Sequence, residues 1–406
     1  MKEFGKNYYE QTAYINFDRN ERMKSLFSGD FSLERILKGL SIESEIVIDP
    51  DNTLIIMDEI QEVPAALQGL KYFMEDESHQ YHIIAAGSLL GLALHTGTSF
   101  PVGKVDTMNL YPLTFTEFLD AVKQEVLIQL LTEDDFPMIT TFRDKYMDAL
   151  KTYYYVGGMP AAVNTYISTG DFKQVRRVHK RLLNDYEQDF SKHVPPLTVP
   201  RVRMVWDGIP SQLAKENKKF IYSVLREGAR AKEFETAIQW LVDCGLCHKV
   251  SRVRKGGFPL KAYQDLQAFK LFLVDVGLLA AMADIDEKTL LMGNSIFTEF
   301  KGALTEQYVC QEMAAELEVM PYYWSAESSS GEIDFLIQFA GTIIPIEAKA
   351  AENLNAKSLK TFVAKNSLPF GIRTSMSDYR EQDALVNVPL YAISRDRTST
   401  RLNSSH

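Results

Sequence analysis

Two constellations of acidic residues could do chemistry in this chain, and both ask for a divalent cation. In the first, Asp58 and Glu59 close the apolar run Thr53-Leu54-Ile55-Ile56-Met57, and Ser88 closes a second run, Tyr81-His82-Ile83-Ile84-Ala85-Ala86-Gly87. An acid at the end of a buried strand can hold Mg2+, and the acid beside it can polarise a water for attack on a terminal phosphate. A small hydroxyl on a neighbouring strand end can hold that water or the phosphate. In the second constellation Asp334 lies one hairpin before Glu347 and Lys349, with Glu306 on a preceding helix. Two carboxylates on adjacent strands can share one Mg2+, and a lysine two residues after the second acid points to the same side of the strand. Without the metal the two acids repel, so at least one carboxyl is expected above its usual range unless Lys349 offsets it. The plain alternatives are a strand that merely finishes in a solvated Asp-Glu, and C-terminal acids that are only structural.

These side chains need a particular scaffold. The turn Asp49-Pro50-Asp51-Asn52 followed by an unbroken apolar run reads as a parallel strand buried on both faces. Ala13 to Asp18 reads as another strand, and Val63 to Glu75 as a helix with Leu67, Leu70, Phe73 and Met74 on its apolar face. Lys104 to Leu110 is expected as a further strand, stopped by Pro112, with Thr114 capping a helix through Glu117. Residues 121–250 read as mostly helical, and Gly157-Gly158 with Pro160 reads as a boundary. An amphipathic helix from Ala231 to Val242 and a polar ribbon from Lys249 to Leu260 have the layout of a winged helix. Lys249, Arg252, Arg254 and Lys255 make that ribbon basic, and DNA contact and intramolecular packing are equally open there. In the last segment, a helix from Phe297 to Val309 carries Glu306 and, two turns away, Glu299, which could take its place; strands follow at Tyr322–Ser325, 332–337 and 343–350.

Asp58-Glu59-Ile60-Gln61, Ala86-Gly87-Ser88, Pro101-Val102-Gly103-Lys104 and Leu110-Tyr111-Pro112-Leu113-Thr114-Phe115, in this order, resemble a family of prokaryotic AAA-type P-loop ATPases with a C-terminal domain of unknown function. The resemblance implies ATP and Mg2+ as cofactors, Asp58 as the Mg2+-side Walker B acid, Glu59 as the catalytic glutamate and Ser88 at the sensor position. Lys104 stands where the family usually has Arg, and no G-x-x-x-x-G-K-[ST] phosphate loop occurs in the 406 residues. The chain is therefore expected to be an N-terminally truncated fragment that binds nucleotide weakly and hydrolyses it poorly. The strand ending at Ser88 should keep an exposed edge, with Lys104 to Leu110 displaced or closing it. The acid and acid-x-lysine of the C-terminal segment resemble the PD-(D/E)xK core of restriction-type nucleases, which implies Asp334, Glu347 and Glu306 as metal ligands and Lys349 as the catalytic lysine.

The expected fold class is α/β: an incomplete P-loop ATPase parallel sheet over 1–120, a helical lid over 121–217, a winged-helix-like part over 218–292 and a restriction-endonuclease-like domain over 293–395. Residues 396–406 resemble a translated sequencing-adapter tail and are expected to be non-native. The net charge of −10 and pI of about 5.4 exclude a strongly basic nucleic-acid-binding protein while leaving room for local basic patches. Three cysteines exclude a disulfide framework, and with no signal peptide and no run near the length of a membrane span, a cytoplasmic protein is expected. Function is expected either as an ATPase coupled to a nuclease-like domain that meets DNA, or as a nucleotide-sensing interaction protein whose nuclease-like module only binds.

Overall fold

The computed structural model describes residues 1–29, 31–78, 80–88, 103–215, 218–292, 298–317, 319–326, 331–351 and 356–393. Pro101, Val102 and the segment 396–406 lie outside the described residues, as does the side chain of Glu299. Two compact units result: Met1–Leu110 with Asp243–Gly245, and Tyr111–Val242 with Leu246–His406.

The first unit holds a parallel sheet of β1 (Gln11–Asn16), β2 (Thr53–Asp58) and β3 (His82–Ala86), in that spatial order. Residues 53–57 of β2 are all buried, which is why the strand reads as a continuous apolar run instead of an alternating one. Ile55 and Met57 pack against Phe17, Phe27, Ile36, Leu40 and Phe73, residues supplied by the loop after β1 and by the helices Glu21–Phe27, Leu33–Ser44 and Pro64–Met74. Among the described residues β3 pairs only with β2, and its residues are half-buried or exposed. Lys104 to Leu110 forms no strand and does not close that edge. Its apolar residues do not alternate: Val105 packs on the core, while Met108 and Leu110 are 95% and 98% exposed.

The second unit is built on an eight-stranded mixed sheet: β4 (Cys247–Val253), β5 (Gln264–Leu273), β6 (Tyr322–Ser325), β7 (Glu332–Phe339), β8 (Thr342–Ala348), β9 (Gly371–Ser375), β10 (Arg380–Gln382) and β11 (Leu385–Pro389). The spatial order is β10-β11-β9-β8-β7-β6-β4-β5. This corrects the winged-helix reading. The ribbon belongs to the β4–β5 hairpin, and Ser251–Val253 pair in parallel with Tyr322–Trp324, so the hairpin and the C-terminal strands form one sheet across the boundary expected at 292/293. A solvated wing would alternate, whereas residues 268–273 of β5 are buried without a break.

The helix Thr298–Glu316 lies in the core of this unit and buries Glu306, Gln307, Gln311 and Glu312 among its apolar residues. Gln307 accepts from the Leu273 N–H at 2.8 Å and donates to the Leu273 carbonyl at 2.5 Å. Gln311 accepts from the Val276 N–H at 2.9 Å and donates to the Tyr153 hydroxyl at 2.8 Å. Glu312 accepts from the Phe115 N–H at 2.9 Å. These side chains satisfy backbone groups that would otherwise be buried without partners. The expected Thr114–Glu117 capping box forms and starts the helix Phe115–Ala121. Gly157 and Gly158 are buried: Gly157 has φ 68°, and a Cβ at Gly158 would sit 2.1 Å from the Leu113 carbonyl oxygen. The pair marks a close crossing of backbones, fastened by Asp275, whose Oδ2 accepts from the Gly158 N–H at 2.7 Å.

Candidate functional site

At the first constellation the register of β2 and β3 sets Asp58 beside Ala86, so that the two chain ends leave the sheet together. Glu59 then takes a left-handed conformation, φ 54°, unusual for a residue with a side chain, and turns the backbone into the short 3-10 segment Ile60–Glu62. Asp58, Glu59 and Ser88 thus gather at one rim. The Ser88 hydroxyl is 3.5 Å from Glu59 Oε2, the limit of a hydrogen bond, and Gln61 Nε2 donates to the same oxygen at 2.5 Å. Tyr14 of β1 donates its hydroxyl to Asp58 Oδ2 at 2.6 Å, and that bond, with burial, pushes the Tyr14 phenol up. Lys2 Nζ lies 3.3 Å from the centre of the Tyr14 ring.

Sequence reasoning missed Tyr14 and Gln61. Tyr14 stands between buried Ala13 and Ile15, so its opposite facing was legible, but that β1 pairs with β2 was not. Among the described residues neither Asp58 nor Glu59 is in an ion pair, so both remain open to a cation. The set fits Mg2+ bound in its usual way, through one or two carboxylates plus the phosphates of a substrate. Lys104 lies with Nζ 3.6 Å from Glu75 in a half-exposed surface pair.

At the second constellation the antiparallel register Phe335–Ile346 brings Asp334 alongside Glu347 on neighbouring strands, and Asp334 Oδ2 accepts from the Ala348 N–H at 2.9 Å. Lys349 Nζ is 2.6 Å from Glu347 Oε1, so those two side chains share a side as the acid-x-lysine spacing requires. The centre itself is occupied by an amine of the protein. Lys270 of β5, 1% exposed, reaches Glu332 at 2.6 Å, Glu306 at 3.3 Å and Asp334 at 3.9 Å, and Lys218 holds the other oxygen of Glu306 at 2.6 Å.

The charges follow this geometry. Burial opposes the charge on Lys270, and Glu306, Glu332 and Asp334 outweigh it and raise its pKa. Burial likewise pushes Glu306 up, and Lys270 and Lys218 outweigh it, leaving the carboxyl below its ordinary value. Asp334 goes the other way: burial first, then the negative charge of Glu306, push it up to about 7. The ammonium of Lys270 already neutralises Glu306, Glu332 and Asp334, and its charge opposes a divalent cation at the same oxygens. Among the described residues no group of three or more His, Cys, Asp or Glu is arranged to hold a metal ion. Lys270 gathers Glu306, Glu332 and Asp334, while Glu347 pairs with Lys349 beside them. Lys270 was missed, although a single charge inside Ala268-Phe269-Lys270-Leu271-Phe272-Leu273 is the mark of a buried, paired group.

An acid pair at the ends of parallel strands is followed in the same chain by a mixed α/β unit, and three family models match successive parts of the chain. Residues 1–119 match an AAA domain, residues 301–393 a domain of unknown function (DUF4143), and residues 147–289 a further domain of unknown function (DUF8612). A Walker-type ATPase of Pyrococcus abyssi is 14% identical with a TM-score of 0.39, over 68% of this chain and 84% of that one. A Vibrio cholerae protein is 11% identical with a TM-score of 0.20, over 97% of both. No curated protein matches the chain. Among the described residues no helix is long and apolar enough to cross a membrane.

Proposed function

We propose that residues 1–110 carry the acidic half of a Mg-ATP site and that the C-terminal sheet is a binding module in which nuclease chemistry has been replaced by a structural ion cluster. The observation that supports the first part is the gathering of Asp58, Glu59 and Ser88 at one rim. With Mg2+ bound to Asp58, the cation would neutralise phosphate charge; Glu59 would accept a proton from the attacking water, and the Ser88 hydroxyl would orient that water or the γ-phosphate. Gln61 and Tyr14 are positioning residues, one for each carboxylate. Because the 406 residues include no phosphate-cradling loop, several charge-assisted hydrogen bonds to the phosphates are missing, each worth about 1.5–3 kcal/mol. Calorimetry on the 406-residue chain should therefore show Mg-ATP binding in the millimolar range or weaker, and Asp58→Ala should abolish its dependence on Mg2+. Micromolar affinity, or Mg2+ dependence that survives Asp58→Ala, would remove Asp58 from this role.

The order of the C-terminal elements, a helix with Glu306, the β6–β7–β8 meander and then the parallel β9, supports a restriction-endonuclease-like core. The position of Lys270 supports binding over cutting. With Mg2+ and plasmid DNA, wild type and Lys349→Ala should both leave the plasmid supercoiled. Nicking by the wild type that disappears in Lys349→Ala would restore a nuclease.

A further inference from the structure

The β4–β5 connection and the helix Lys357–Lys365 make a basic face on a protein of net charge −10. Residues 254–261, Arg254-Lys255-Gly256-Gly257-Phe258-Pro259-Leu260-Lys261, and residues 357–365, Lys357-Ser358-Leu359-Lys360-Thr361-Phe362-Val363-Ala364-Lys365, contain no acid, while the whole chain carries −10. The two segments touch: a Cβ on Gly256 would lie 2.5 Å from Cζ of Phe362 and 3.2 Å from Oδ1 of Asn366, so only glycine lets the loop lie this close to the helix. The loop is held at both ends, by the Arg254 N–H donating to the Tyr263 carbonyl at 2.9 Å and the Leu260 N–H donating to Gln338 Oε1 at 3.1 Å. The helix is fixed from beneath by Leu359, Phe362 and Val363, which are buried, leaving Lys357, Lys360, Thr361, Ala364 and Lys365 exposed along its outer side. Of the basic residues, Arg254 faces Asp265 at 3.9 Å, and Lys255, Lys261, Lys357, Lys360 and Lys365 form no ion pair among the described residues. Phe258 stands at the loop tip with 54% of its surface exposed.

We propose that this face binds single-stranded nucleic acid, its lysines along the phosphates and Phe258 stacked on a base. The proposal rests on reading the C-terminal sheet as a binding module. Positive charge alone would suit any polyanion, and the exposed aromatic in its midst selects the single strand, because a base free of its partner offers a whole face for stacking while a duplex does not. The electrostatic part follows counterion release, so affinity should fall steeply with salt.

The test is fluorescence anisotropy in EDTA with a labelled oligo-dT and a labelled duplex of similar length, for wild type, Phe258→Ala and Lys255→Glu/Lys261→Glu. The expected result is binding of oligo-dT over the duplex, weakened at least about fivefold by Phe258→Ala with unchanged thermal stability. The lysine pair should weaken binding further and flatten its salt dependence. Lack of oligo-dT binding, preference for the duplex, indifference to Phe258→Ala, or displacement by polyglutamate as readily as by unlabelled oligo-dT would each overturn it. The absence of metal keeps this outcome apart from the plasmid assay, which alone decides whether the module cuts.

Discussion

Lys270→Met is expected to destabilise the second unit by about 3–5 kcal/mol, the usual cost of removing one partner from a buried ion pair and leaving the other charge uncompensated. The cost is high here because one ammonium serves Glu332 at 2.6 Å, Glu306 at 3.3 Å and Asp334 at 3.9 Å. Urea unfolding followed by tryptophan fluorescence would measure it. Adding Glu306→Gln and Glu332→Gln to Lys270→Met should recover part of the loss, since the uncompensated charges are then gone. The same substitution also tests whether the amine keeps a divalent cation out. If the amine is what excludes a divalent cation, Mn2+ should raise the melting temperature of Lys270→Met and leave that of the wild type unchanged. A mild loss, or a wild type that Mn2+ stabilises equally, would show that Lys270 does not hold the centre.

The second large effect is expected at Glu312, and it depends on pH. Burial pushes this carboxyl from 4.5 up to about 8, with Glu316 and Glu117 adding to the rise, and one oxygen accepts from the Phe115 N–H. Because the folded pKa lies above the unfolded one, the native state holds the proton more tightly. The contribution of Glu312 to stability is therefore highest below about pH 4.5, falls as pH rises to about 8, and changes no further above that. The span is on the order of 4–5 kcal/mol. Asp334, raised to about 7, and Asp275, raised to about 6 by burial, slope in the same direction over lower windows. Glu312→Gln isolates the one group: its urea midpoint should match the wild type near pH 5 and exceed it at pH 8. Parallel profiles for the two proteins would mean that Glu312 is ionised in the folded state.

The sequence was most legible where burial imposed a pattern. A strand covered on both faces must be apolar throughout, so β2 and the acid pair at its end could be read directly, as could the capping box at Thr114. The acid-x-lysine geometry at Glu347 and Lys349 followed from strand alternation alone. What could not be read was pairing between distant segments. The β4–β5 hairpin was visible as a ribbon, but its partner β6 begins only at Tyr322, and without that partner a hairpin after a helix resembles a wing. The same gap hid Lys270: its isolation in an apolar run was plain, and the acids that explain it come from a helix and a strand beyond the hairpin. Lys104 to Leu110 misled for a different reason, since β-branched and apolar residues without strict alternation do not bury one face.

The polar helix Thr298–Glu316 also sets a timetable for synthesis. Gln307, Gln311 and Glu312 satisfy the backbone of Leu273, Val276 and Phe115, and the Glu312 partner is made 197 residues earlier. At ribosomal speeds of about 5–20 residues per second, the segment around Phe115 waits roughly 10–40 s for the side chain that completes it. During that interval the Phe115 N–H and the apolar residues beside it stay in reach of water and of other chains until Glu312 has been made.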